Sequence, residues 1–307
     1  MAVVKTWKAT ALTASASIPQ PITGFKTFQN QVAGHLELQS KPCFLMDKDG
    51  HVLKMVDFTR STGIVETAFF ERIFNAEDDE PELKELQNFL PKYYGIQQIN
   101  VNGEKFCYIK LENLLAGFSK PSIMDIKIGK QTSDPFADSA KIQREAMKYK
   151  YQKELGFRML GSKSYRTQTG RTDFHDKTTC KKFTPDDIPK HIAFVLDIKN
   201  VPARLYILRG IIEKLKKLEE WFSYQNRVKL FSSSILIAFD GQRVQYPDAK
   251  NTTLTHFSQD DVVVRMIDFP HTYIDLNETQ SLDTNYMYGL KRLIQIFECL
   301  CQNIESE

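Results

Sequence analysis

Pro121-Ser122-Ile123-Met124-Asp125-Ile126-Lys127-Ile128-Gly129 is the stretch on which the reading of this chain turns. Two charged residues, Asp125 and Lys127, sit two apart inside a largely apolar run. Strand side chains alternate between faces, so positions i and i+2 share one. A strand here presents the carboxylate and the ammonium on one side and buries Ile126 and Ile128 on the other. Pro121 opens the run and Gly129 closes it, as strand ends require. The polar Lys130-Gln131-Thr132 that follows predicts a solvent-facing exit. Alternation alone also fits an ordinary half-buried strand with an internal ion pair. The rest of the chain has to decide between them.

At 307 residues the chain can bury a large core and divide into two lobes. A hydrophobic content of 42% with 26% charged residues is that of a soluble globular protein. The net charge of +3 supplies no global basic field, so nucleic acid is not an expected partner and any anion site must be a local cluster. The five cysteines (Cys43, Cys107, Cys180, Cys299, Cys301) are scattered and lack Cys-x-x-Cys spacing. Reduced thiols in a soluble cytoplasmic or nuclear protein are expected, not a disulfide frame or a zinc site. No apolar run approaches the roughly 20 residues of a membrane span, so stable membrane insertion is not expected. The first 36 residues hold Lys5, Lys8 and Lys26 but no Asp, Glu or Arg. They read as a disordered arm rather than a transit peptide.

Outward from the opening stretch, residues 44–46 and 51–56 form a hairpin around Asp47-Lys48-Asp49-Gly50, with Lys54 in its second strand. Residues 64–74 carry Val65, Phe69 and Ile73 at helical spacing, with Glu66 near the start. The acids of 77–80 read as a solvated surface ahead of a short helix. A second hairpin, 96–101 with 105–111, delivers Glu112-Asn113-Leu114. Downstream, one helix is predicted over 139–155, ended by Gly156. Lys141, Arg144 and Lys148 fall on one face of it, and no acid is counted there. They would repel each other unless an anion sits between them; a solvated face is the alternative. Residues 157–165 read as a strand with Lys163 near its end, and 166–191 as a polar, irregular loop containing Lys177. A long core helix over 202–225 follows, then buried strands over 231–239 and 262–267, and a closing helix over 285–301.

A strand lysine followed by a helix glutamate is how protein kinases hold nucleotide phosphates, and an Asp-aromatic pair ending a buried strand is where they place a metal ligand. Lys54, Glu66 and Asp268-Phe269 fit that pattern. Taken singly they also fit a surface lysine, an acid favoured by a helix dipole, and a turn aspartate.

Taken together, the blocks resemble the inositol polyphosphate kinase family. Pro121, Asp125, Lys127 and Gly129 fill that family's Pro-x-x-x-Asp-x-Lys-x-Gly signature. Gln31-Val32-Ala33-Gly34-His35, Val52-Leu53-Lys54, Ser233-Ser234-Ile235-Leu236, Ile267-Asp268-Phe269-Pro270-His271-Thr272 and Asn285-Tyr286-Met287-Tyr288-Gly289-Leu290 resemble its other blocks, in order, over residues 28–300. Asp134-Pro135-Phe136-Ala137 through Lys141-Ile142-Gln143 looks most like the multikinase branch. Pro270, where Ala is usual, and Arg144, where a multikinase often has Gln, depart from the pattern.

The resemblance implies an α+β, two-lobed kinase-like fold related to protein kinases and ATP-grasp enzymes. It has antiparallel sheets in both lobes and a short helical inositol-phosphate-binding insertion. The implied division is a flexible arm (1–27), an N-lobe (28–112), a hinge and start of the C-lobe (113–132), the insertion with its following strand (133–165) and the remaining C-lobe (166–307). It implies ATP and Mg2+ as cofactors, an inositol polyphosphate as acceptor, and a monomer. Lys54 is implied to hold the nucleotide phosphates, with Glu66 orienting it, and Glu112 and Leu114 to meet adenine. Asp268 is implied to hold the metal, Asp125 to contact the ribose or the reacting hydroxyl, and Lys127 to bridge acceptor and γ-phosphate. Asp125, Lys127 and Asp268 are thus the implied catalytic set. Lys141, Arg144 and Lys148, with Lys163, Arg60 and His271, are implied to grip the acceptor phosphates. A hexakisphosphate kinase and a non-catalytic inositol-phosphate-binding scaffold remain as alternatives.

Overall fold

A computed structural model describes residues 24–28, 30–32, 43–101, 103–198, 204–242, 261–275 and 281–306. The predicted arm over 1–27 and the Ala33-Gly34-His35 part of the first family block lie largely outside them.

Two five-stranded antiparallel sheets form the two lobes. The first contains β1 (Lys26–Thr27), β2 (Phe44–Met46), β3 (Val52–Val56), β4 (Tyr93–Val101) and β5 (Glu104–Leu111), in the order β1-β2-β3-β5-β4. The Asp47 carboxylate closes the β2–β3 turn by accepting the N–H groups of Asp49 and His51, each at 2.9 Å. Helix α1 (Ser61–Phe74) follows β3 and buries Glu66, Phe69, Phe70 and Ile73, while α2 (Pro81–Leu86) begins at a proline, whose missing N–H costs nothing in a first turn. Of the acids before α2, Glu77, Asp78 and Asp79 are exposed as expected. Glu80 instead pairs with Arg72 and Arg227 and so joins the lobes.

The second sheet is built around β6 (Pro121–Ile128). With β7 (Phe157–Tyr165), β8 (Thr172–His175), β10 (Ser234–Asp240) and β11 (Val262–Ile267) it runs β11-β10-β6-β7-β8. A two-stranded ribbon pairs β9 (Val228–Phe231) with β12 (His271–Ile274). Helices α3 (Ser139–Ala146), α4 (Gln152–Leu155), α5 (Lys177–Cys180), α6 (Asp187–Leu196), α7 (Leu205–Tyr224) and α8 (Thr284–Ser306) complete the lobe. The apolar stripes of α7 and α8 pack with the Met124, Ile126 and Ile128 side of β6, giving the largest core. Among the described residues no helix is long and apolar enough to cross a membrane. All five cysteines are free thiols.

Three sequence expectations are corrected. The helix over 139–155 is two helices: α3 stops at Ala146 and α4 spans Gln152–Leu155. Tyr149 breaks the run by turning into the core, 3% exposed, where its hydroxyl donates to the Phe183 carbonyl at 2.8 Å. The loop over 166–191 contains β8, α5 and the start of α6, whose short polar segments carry too little apolar periodicity to announce themselves. The strand over 231–239 is split by Ser232 at φ +64°, which ends β9 and turns its carbonyl toward Lys127.

Glycines explain two of the family blocks. Gly129 adopts φ +114° and donates its N–H to the Gly156 carbonyl at 2.7 Å. A Cβ on Gly289 of α8 would lie 1.9 Å from that same carbonyl oxygen. The polar exit after Gly129 is therefore only partly solvent-facing: Lys130 and Gln131 are exposed, Thr132 is buried, and Asn285 clamps Gln131 by two backbone bonds at 2.8 and 3.0 Å. Gly289→Ala is expected to force α8 away from this turn at a cost of about 1–3 kcal/mol, a fall in Tm of roughly 2–6 °C. A calorimetric Tm equal to that of the parent would contradict this packing.

Candidate functional site

Lys54 sits in the middle of β3 and its Nζ donates to Glu66 Oε1 and Asp268 Oδ1, both at 2.6 Å. The β3 strand and α1 thus aim two side chains at a residue more than two hundred positions downstream. Glu66 is 6% exposed, and its Oε1 also accepts the Phe269 N–H at 3.0 Å. Phe269 is fully buried and stacks on Phe69 at 4.3 Å. Asp268 lies at the end of β11 with φ +62°, an unfavourable conformation for a side chain with a Cβ, retained here by these contacts. Burial works against the Lys54 charge, but the Asp268 and Glu66 carboxylates outweigh it and hold the ammonium protonated well above its usual range. Burial also opposes the Asp268 charge, and Lys54 and Lys127 keep that carboxyl below its usual range.

Asp125 and Lys127 share one face of β6, as alternation requires. Lys127 Nζ donates to the Ser232 carbonyl at 2.7 Å and to Ser232 Oγ at 2.9 Å. Ser233 fixes this turn by donating its hydroxyl to the Ile267 carbonyl, so the Ser-Ser block positions the lysine. Asp125 is 5% exposed, and its Oδ1 has no hydrogen-bond partner among the described residues. Burial, reinforced by the charge of Asp268, pushes its carboxyl up to about 7. Burial likewise pushes the Lys127 ammonium down to about 8. Two carboxylates that repel each other, one with an orphaned buried oxygen, form a donor set suited to a divalent cation.

The β7 side of β6 is cationic, across the strand from Asp268. Arg158 of β7 stands opposite Lys127, on the same face, just beyond a bulge at Leu160 that shifts the register between Asp125 and Ile126. Arg158 is 4% exposed and donates to Gln152 Oε1 at 2.9 Å and Thr132 Oγ1 at 3.3 Å. Near it lie Lys148, just past the end of α3, and Lys177 at the start of α5, while Lys141 on α3 lies near His271, which faces Asp134 at 3.4 Å. Arg144 is exposed on α3. The face expected to be free of acids holds Glu145, which pairs with Lys148. Its spacing, four after Lys141 and three before Lys148, was the signal that identifies it.

Two predicted acceptor residues stand elsewhere. Lys163 is opposite Ile123, four residues along β6 from Lys127, a separation of about 13 Å at roughly 3.3 Å per residue. It donates to Asn30 Oδ1 at 2.9 Å. Arg60 projects into solvent at the start of α1, with a 3.3 Å contact to Asp57. At the hinge, the Glu112 N–H donates to the Lys92 carbonyl at 2.8 Å, and Asp240 holds the approach to β6 through the N–H groups of Ser119 and Lys120. Leu114 lies in the following turn, half-buried. Arg158 and Lys177 are the functional candidates that the sequence reading did not select. Arg158 is found only from the strand register, and Lys177 lay in the stretch read as a loop.

The arrangement can bind a nucleotide's phosphates and a cation on the β11 side of β6 and a polyanion on the β7 side, with a carboxylate and an ammonium between them. The model of the inositol polyphosphate kinases matches residues 108–298, which include β6, α3 to α5 and Asp268. The human inositol polyphosphate multikinase is 32% identical over 230 residues, 73% of this chain and 55% of the relative; this chain spans about half the length of that protein. Inositol polyphosphate multikinase alpha of Arabidopsis thaliana is 26% identical over 294 residues, covering 91% of this chain and 96% of the relative. The fold matches a crystal structure of an S. cerevisiae inositol phosphate multikinase in complex with ADP and Mn2+, with a TM-score of 0.61 at 22% identity, over 80% of this chain and 98% of that one. With its signature strand, its lysine–glutamate–aspartate junction and this extent of match, the chain belongs to the inositol polyphosphate kinase family.

Proposed function

We propose that this chain transfers the γ-phosphoryl group of ATP to a free hydroxyl of a soluble inositol polyphosphate, in the manner of a multikinase that carries a trisphosphate to tetrakis- and pentakisphosphates. The observation that carries the reading is the placement of Asp125 and Lys127 on one strand face, with the Lys54–Asp268 pair on the β10–β11 side of it and the Lys148–Arg158–Lys177 group on the β7 side. Phosphoryl transfer needs positioning and neutralised charge more than covalent help, and both requirements are met there.

In this reading Lys54, steadied by Glu66, holds the nucleotide phosphates, and the Glu112 carbonyl and Leu114 N–H face the adenine edge at the hinge. A divalent cation, taken as Mg2+, would be held by Asp268 with Asp125 beside it and would supply charge neutralisation on the transferring phosphate. Lys127, released from Ser232, bridges acceptor and γ-phosphate. Asp125, raised to about 7, is suited to accept the proton of the attacking hydroxyl near neutral pH. Lys141, Arg144, Lys148, Lys177 and His271 take the acceptor phosphates, Arg144 by paired N–H donors, while the buried Arg158 adds its charge behind them. The Lys163 and Arg60 positions give less support to the same role. Free cysteines favour a reducing compartment, cytoplasm or nucleus.

Asp268→Ala and Lys127→Ala should each lower kcat by at least roughly 100-fold in a Mg-ATP assay while the far-ultraviolet circular dichroism stays that of the parent. Normal turnover in either variant would sink the assignment. The double variant Lys141→Ala/Lys148→Ala should raise the KM for the inositol phosphate about tenfold or more and leave that for ATP within about twofold, since each lost phosphate contact is charge-assisted. Equal shifts in both would contradict the division of the cleft.

Asp125 also makes a prediction about stability. Its carboxyl titrates near 3.8 in the unfolded chain and near 7 in the folded one. A folded value above the unfolded one contributes stability that is complete at low pH and fades as pH rises through that window. Asp125→Asn should therefore raise the Tm of the ligand-free protein more at about pH 8 than at about pH 5, with a ceiling of roughly 4 kcal/mol at 1.36 kcal/mol per unit. An equal gain at both pH values would show that the carboxyl is not held neutral.

A further inference from the structure

Glu145 is a carboxylate inside a site otherwise made for anions. Its Oε1 accepts from Lys148 Nζ, and its Oε2 lies 3.9 Å from the Arg158 guanidinium. The side chain is 19% exposed, so water screens it only in part. Burial opposes its charge, and Lys148 beside it overcomes that and keeps it ionised. Lys127, Lys177 and His271 are also within reach of its field.

Arg158 supplies an independent observation. It is 4% exposed, its Nε is buried without a hydrogen-bond partner among the described residues, and its two hydrogen bonds go to neutral oxygens of Gln152 and Thr132. A buried guanidinium in that condition is costly unless an anion completes its surroundings. The carboxylate facing it stands too far off for a hydrogen bond. Arg158, Lys148 and Lys177 therefore form a cationic group with one fixed negative charge among them.

We propose that Glu145 is a specificity-determining residue of the acceptor site: it holds the position where a phosphate of a fully substituted inositol ring would meet Arg158, and so admits a ring bearing a free hydroxyl there. This rests on the inositol-phosphate reading above and deepens it. A carboxylate accepts a hydrogen bond from a hydroxyl and repels a phosphate. At separations of about 4–5 Å under partial screening, that repulsion is worth on the order of tenfold in affinity. The alternative, in which Glu145 merely balances Arg158 and Lys148 within the fold, favours every more highly charged ligand through a diffuse field, and that preference is screened away by salt, whereas exclusion of a phosphate in contact with the carboxylate is not.

The test is binding, which does not depend on turnover. Affinities for an inositol trisphosphate and for inositol hexakisphosphate are measured by titration calorimetry on the full chain and on Glu145→Gln, alongside Tm. The ratio of hexakisphosphate to trisphosphate affinity should rise at least about tenfold in the variant and keep that rise in about 0.3 M salt; a rise that vanishes in salt overturns the proposal. A ratio within about twofold of the parent, whatever happens to Tm, overturns the proposal. Should Glu145→Gln fail to fold, Glu145→Asp retains the charge but withdraws it by one methylene. It should shift the ratio in the same direction by a smaller factor, and an unmoved ratio there overturns the proposal equally. A parent chain that binds neither ligand overturns the functional reading and this inference together. One that binds both with an unshifted ratio overturns this inference alone.

Discussion

The two donors that converge on Glu66 Oε1 are the constraint on which the rest of this structure depends. One is the Lys54 ammonium at 2.6 Å, the other the Phe269 N–H at 3.0 Å. The first ties α1 to the N-lobe sheet and the second ties α1 to the end of β11. Phe269, stacked between the rings of α1 and the C-lobe core, makes the junction apolar where it is not charged. A buried carboxylate with two strong donors is well satisfied, so the cost of its burial is offset in place. Asp268 is carried along: with its neighbour fixed, its own backbone stays at positive φ and its carboxylate points at Lys54.

The cleft floor follows from that junction. Asp268 is close enough to Asp125 to help hold the latter's carboxyl up near 7, and close enough to Lys127 to oppose its loss of charge. Neither Asp125 nor Lys127 would stay at these values on a solvated strand. The β6 strand is buried on both faces, and this converts two ordinary side chains into groups that titrate near neutrality. Ser232 holds Lys127 in the ligand-free chain by a carbonyl and a hydroxyl, a weaker hold than a carboxylate's. The lysine is thus positioned without being neutralised by a partner of opposite charge.

Much of this was legible in the sequence because it was written in alternation and in short fixed spacings. The β6 strand, the hairpin carrying Lys54, the helix carrying Glu66 and the strand ending at Asp268 all follow from period and punctuation, and their ranges agree to within a few residues. The cationic side of β6 was less legible for physical reasons. Tyr149 reads as part of a helical pattern, yet its burial against Phe183 ends the helix early. Arg158 is a cation in a strand of no special pattern, and only the bulged register with β6 brings it opposite Lys127. Lys163 and Arg60 are cations of the expected type whose partners, Asn30 and Asp57, hold them away from that cluster. Charge type can be read from residues; convergence of charges needs the register of strands that are far apart in sequence.

The central claim is that the β6 carboxylate and lysine stand between a nucleotide and an inositol polyphosphate. It is tested most directly by incubating the full chain with Mg-ATP and a panel of inositol tris- to hexakisphosphates and resolving the products by isomer. The account predicts phosphoryl transfer to ring hydroxyls of the less substituted members, yielding tetrakis- and pentakisphosphates. Absence of transfer to every member of the panel, or transfer only to hexakisphosphate with formation of a pyrophosphate, would contradict it.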